Sequence, residues 1–126
     1  MKTERPVNLS LSPANFSWPV TAMASIAHRL TGMLLFVGVG FLLYILDMAL
    51  ASDAGFADAS ALLGQPLPKV GMIAVMATLT FHLFAGVKHL LLDLGIGETF
   101  EAASRAAWLV FGLTAVVTVI LGAWLW

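Results

Sequence analysis

Three long stretches almost free of charge dominate this chain and limit what it can fold into. The first runs from about Ala22 to Leu50, with no charged side chain between Leu30 and Leu46. The second runs from about Leu67 to Leu92, and His82 is its only ionisable residue between Lys69 and Lys88. The third, Ala106 to Trp126, carries no charge. Crossing the hydrocarbon core takes roughly 20 mostly apolar residues in a helix, so each stretch is long enough to span. None alternates in polarity, and each is about twice as long as a tilted membrane strand. An all-α integral membrane fold with three transmembrane helices follows.

Composition narrows the function. Of 126 residues, 60% are hydrophobic and 10% charged, against about 25% charged in a soluble domain. The net charge of −1 offers no basic surface for nucleic acid. Without cysteine the chain has no disulfide, no thiol nucleophile and no thiolate-held iron–sulfur cluster. Residues 1–21 hold Pro6, Pro13 and Pro19 among Asn and Ser rather than an apolar core. They read as an irregular surface arm, not a cleavable signal, with Phe16 and Trp18 at headgroup depth. Residues 22–126 then form one transmembrane domain with spans at about 22–50, 67–92 and 106–126. Lys2, Arg5, Arg29, Lys88 and Arg105 flank one side of such a bundle and only Lys69 the other. The positive-inside rule puts the N-terminus in the cytoplasm and the C-terminus outside. In the outer loop, Phe56, Ala59, Leu62 and Leu63 are spaced for a short surface helix before Pro66 and Pro68.

Ionisable residues inside spans are costly and point to function. Ser25, His28 and Arg29 stand three and four apart, so they share one face of the first span. This donor-rich patch could hold a quinone carbonyl, its one-electron-reduced anion or a haem propionate. The plainer alternative is an Arg29 that snorkels to headgroups beside an interfacial His28. On the second span, Thr78, His82, Ala85 and His89 fall in one stripe, and His82 lies about 9 Å inside Lys88 at 1.5 Å per residue. A neutral imidazole can ligate a metal; otherwise His82 bonds across to a neighbouring helix. Ala85 and Gly86 leave room for a flat macrocycle or another helix. A six-coordinate b-type haem needs two axial groups, and this chain has one deep histidine. His28 and His89 sit nearer the boundary, suited to propionates or proton access, and the second ligand would come from another chain. Gly38, Gly40, Thr114 and Thr118 read as helix contacts, and Glu98, Glu101 and Arg105 as a solvated cap on the third span. Asp47 is placed near the outer surface. No carboxylate lies mid-span, which disfavours a proton-coupled exporter. A purely structural anchor stays open.

Three runs carry a resemblance: Arg5-Pro6-Val7-Asn8-Leu9, Ser25-Ile26-Ala27-His28-Arg29-Leu30-Thr31-Gly32, and His82-Leu83-Phe84-Ala85-Gly86-Val87-Lys88-His89 followed by Asp93. Together they resemble the cytochrome b membrane-anchor subunits of bacterial succinate dehydrogenase, over essentially the whole chain. The resemblance implies a four-subunit complex in the bacterial cytoplasmic membrane. A flavoprotein subunit oxidises succinate, an iron–sulfur subunit relays electrons, and two small anchors form the ubiquinone site and sandwich haem b. By position, His82 would be the axial haem ligand, paired with a histidine of the sister anchor. Ser25 and Arg29 would line the quinone site, with Arg29 also near a propionate and His28 beside both. Lys88 stands where relatives often carry Arg, keeping the charge without the planar fork. The chain would be a non-autonomous subunit, and a fumarate reductase anchor is the nearest alternative.

Overall fold

The computed structural model describes residues 18–126. The readings placed on Phe16, on the Arg5–Leu9 run and on most of the surface arm lie outside the described residues. Among the described residues there are four helices: α1 (Val20–Ala51), α2 (Asp53–Gly64), α3 (Pro66–Asp93) and α4 (Phe100–Leu125). Three of them, α1, α3 and α4, are long and apolar enough to cross a membrane. The chain is an all-α, multi-pass membrane protein.

Local chemistry sets the breaks. The Pro19 carbonyl accepts from the Ala22 and Met23 amides at 3.0 and 3.2 Å and opens α1. Ser52 is fully extended and ends α1, while its hydroxyl accepts from the Gly55 amide at 3.0 Å and starts α2. Gln65 precedes a proline, which disfavours helical backbone there, and it is extended. Pro66 and Pro68 then occupy the first turn of α3, where a missing N–H costs nothing. At the other end of α3, Gly95 takes φ +78°. Its amide bonds Leu92 O and the Ile96 amide bonds Leu91 O, at 3.0 and 2.9 Å. That pair of bonds is a Schellman closure, which needs the left-handed residue that glycine supplies. Thr99 caps α4 through the Ala102 amide at 3.2 Å, so the helix begins six residues ahead of the uncharged run at Ala106.

The packing suits a lipid solvent. Small residues fill the helix contacts: Ala24, Ala85 and Ala107 are buried, and Phe81, Ala85 and Val110 form a core flanked by Ala27, Phe84 and Phe111. Large apolar side chains point outward, with Phe36, Leu67 and Trp124 at least 80% exposed. Helices in a bilayer associate through such close small-residue contacts, because lipid tails are as apolar as leucine. α3 is central, packing against α1 on one side and α4 on the other. The start of α1, the end of α3 and the start of α4 share one end of the bundle. At the opposite end, the Lys69 ammonium lies 5.1 Å from the centroid of the Trp126 ring, a contact worth about 0.5–1 kcal/mol when exposed.

Candidate functional site

The crossing of α1 and α3 brings His28, Thr31 and Gly32 against His82. His82 Nδ1 lies 3.1 Å from the His28 carbonyl oxygen and 3.1 Å from Thr31 Oγ1. The Thr31 hydroxyl itself donates to the His28 carbonyl at 2.9 Å. A carbonyl only accepts, and the single hydroxyl proton is already used, so Nδ1 carries the imidazole proton. In the neutral ring Nε2 then keeps the lone pair. An N–H bonded to a backbone carbonyl is the usual way in which a histidine is oriented to ligate metal through its other nitrogen. Gly32 lets the ring approach closely: a Cβ there would stand 3.1 Å from His82 Cε1 and press on the ring.

The three histidines form a row. His28 stacks on His82 with centroids 4.1 Å apart and planes 14° from parallel. On its other side His28 meets His89 at 5.1 Å and 51°. His28 thus bridges two α3 imidazoles that are two turns apart, and packs directly on the deep ring. Among the described residues no three His, Cys, Asp or Glu side chains are placed to hold a bare metal ion. The row offers one fixed nitrogen rather than a three-ligand cage.

The other expected residues divide. Ser25 is half-buried and Arg29 exposed, both on the α1 face that His28 occupies. Among the described residues neither has a side-chain hydrogen bond or an ion pair. Gly86 makes the room expected of it, but for His28: a Cβ there would lie 3.5 Å from His28 Nε2. Ala85 does not open space for a macrocycle. It is buried in the chain's own core beside Ala27 and Val110, because its direction on α3 points between α1 and α4. Thr78 donates to the Ala74 carbonyl of its own helix at 2.7 Å and takes no part in the row. Lys88 is buried and lines the α3–α4 side, about 120° around the helix from His82. Spacing alone gives Thr31 and Gly32 no role, although Thr31 stands one turn from His28 on the same face.

The chain as a whole has relatives among known proteins. A family model for the succinate dehydrogenase/fumarate reductase transmembrane subunit matches residues 1–121. The chain is 35% identical to the succinate dehydrogenase cytochrome b556 subunit of Coxiella burnetii, over 100% of both chains. It is 32% identical to the corresponding subunit of Paracoccus denitrificans, over 79% of this chain and 78% of that one. Against the mitochondrial succinate dehydrogenase cytochrome b560 subunit of Bos taurus it is 31% identical, over 93% of this chain and 72% of the relative.

Proposed function

The chain belongs to the succinate dehydrogenase/fumarate reductase transmembrane subunit family, and we propose that it holds one side of a haem b and helps build a ubiquinone-reducing site. It is a cytochrome b anchor of succinate dehydrogenase, without a catalytic centre of its own. The observation that carries the haem reading is the pair of 3.1 Å contacts from His82 Nδ1 to the His28 carbonyl and Thr31 Oγ1, which call for an Nδ1–H. Nε2 would then be the nitrogen that holds the haem iron, and Gly32 leaves room for the ring. A six-coordinate haem needs a second axial group, assigned here to a histidine of the sister anchor. Haem b supplies a one-electron carrier when bound. His28 and His89 are assigned to the propionates or to proton entry, with Arg29 beside them.

Quinone reduction takes two electrons and two protons. The chain has no cysteine and so no thiolate-held cluster, and the electrons are assigned to an iron–sulfur subunit fed by a flavoprotein. Ser25 Oγ–H is assigned to a quinone carbonyl. Arg29 supplies a permanent cation where negative charge grows on the quinone oxygen, the role preorganised donors play in transition states. Both residues lie at the end of the bundle that carries most of the lysine and arginine. The positive-inside rule makes that end cytoplasmic in a bacterial inner membrane.

Arg29→Gln in intact membranes tests the quinone role, because glutamine keeps a hydrogen-bond donor and removes the permanent cation. Quinone reductase activity should fall about tenfold or more, while succinate oxidation by an artificial dye is retained. Equal loss of both activities would move Arg29 out of the quinone site.

A further inference from the structure

On the side of α3 turned away from the histidine row, α3 and α4 enclose an open groove of about 480 Å³. Leu83, Val87, Leu91, Leu109 and Leu113 line it, and Lys88 is its one charged lining residue. Lys88 is also the only buried charged side chain among the described residues, at 6% exposure. It has no counter-ion: the only ion pair among the described residues joins Arg105 to Glu101 on the exposed tip of α4. Asp93 and Glu98 are exposed, and neither makes an ion pair with Lys88. The aliphatic stem of Lys88 is buried along the groove, while its ammonium is not among the enclosed polar atoms and reaches the groove's opening, as snorkelling lysines do. A cation there in a membrane favours an anion beside it, and no carboxylate among the described residues pairs with it.

We propose that this groove is a binding site for an anionic phospholipid. The phosphate oxygens accept from Lys88 Nζ, and one acyl chain lies between α3 and α4 toward the bilayer centre. The dimensions agree. From Ala102 at the mouth to Leu113 the groove follows α4 for about 16 Å at 1.5 Å per residue, close to half of an approximately 30 Å hydrocarbon core. The occupant is a lipid rather than a sister subunit, because a chain that shares the α1–α3 histidine face leaves the α3–α4 face toward the bilayer. The choice of a lipid over a subunit rests on the haem reading above; the groove and its unpaired Lys88 do not.

The test counts lipid. The whole complex is purified in mild detergent and exchanged into nanodiscs of phosphatidylcholine, with or without phosphatidylglycerol. Lipid retained after detergent re-extraction is then read by native mass spectrometry. The wild type should keep phosphatidylglycerol in preference to phosphatidylcholine. Lys88→Gln should lower that retention about fivefold, the weight of one lysine against an anionic lipid, and Lys88→Arg should restore it. A haem spectrum taken on each sample reports assembly. Should Lys88→Gln fail to assemble, Ala106→Phe decides, because it fills the groove and leaves the cation: it too should lose the lipid. Equal retention of both lipids by the wild type, or phosphatidylglycerol kept by both Lys88→Gln and Ala106→Phe, would overturn the proposal. So would a benzophenone placed at position 109 that crosslinks to a subunit instead of a lipid.

Discussion

Thr31 connects α1 to the deep imidazole of α3 with one hydroxyl. It donates to the His28 carbonyl and stands 3.1 Å from His82 Nδ1. Thr31→Val keeps the shape and removes that oxygen, a change worth about 1 kcal/mol for one hydrogen bond. A partner on the far nitrogen raises the basicity of a ligating imidazole, so its loss should favour reduced iron. Redox titration of the complex should show the haem midpoint rising by up to about 40 mV, the one-electron equivalent of 1 kcal/mol. Thr31→Ser should stay at the wild-type value. A Thr31→Val midpoint that does not move would separate this hydroxyl from the axial nitrogen. The sequence makes His82 conspicuous, since no other ionisable residue lies between Lys69 and Lys88. It does not reveal the tautomer, which depends on a carbonyl 54 residues away. Nor does it reveal that Ala85 packs inward, because a small residue on the histidine stripe looks the same beside a cofactor as beside another helix.

Gly38 and Gly40 both invite reading as places of close helix approach, and only one is. A Cβ on Gly38 would stand 3.2 and 3.3 Å from the Val75 methyls, whereas one on Gly40 meets nothing within 4 Å. Gly38→Val should therefore force α1 and α3 apart at a cost of about 1–3 kcal/mol, and Gly40→Val should stay within about 0.5 kcal/mol. Thermal loss of the haem band from the purified complex measures both; equal melting of the two variants would contradict the α1–α3 packing. Periodicity cannot separate these glycines, because they are two apart and the direction of Val75 is set by tertiary packing. The three long helices were legible from run length alone, and α2 from the spacing of Phe56, Ala59 and Leu62. The start of α4 was less so. Glu101 and Arg105 look like loop in a hydropathy reading, but the Thr99 cap and their i,i+4 pairing carry the helix outward past the uncharged run.

For the molecule as a whole, the absence of cysteine makes topology directly measurable. Ala57→Cys on α2 and Glu98→Cys in the α3–α4 connection place single thiols at opposite ends of the bundle. In intact spheroplasts a membrane-impermeant maleimide should label Ala57→Cys and reach Glu98→Cys only after lysis; the reverse pattern would invert the orientation derived from the basic residues. On the proposed haem reading the histidine row supplies one ligand, and a second anchor subunit would supply the other. The dithionite-reduced difference spectrum of the purified complex examines that sharing. His82→Ala should abolish or shift the b-type haem band, while His28→Ala and His89→Ala retain it. An unaltered band in His82→Ala would mean that this imidazole does not hold the iron.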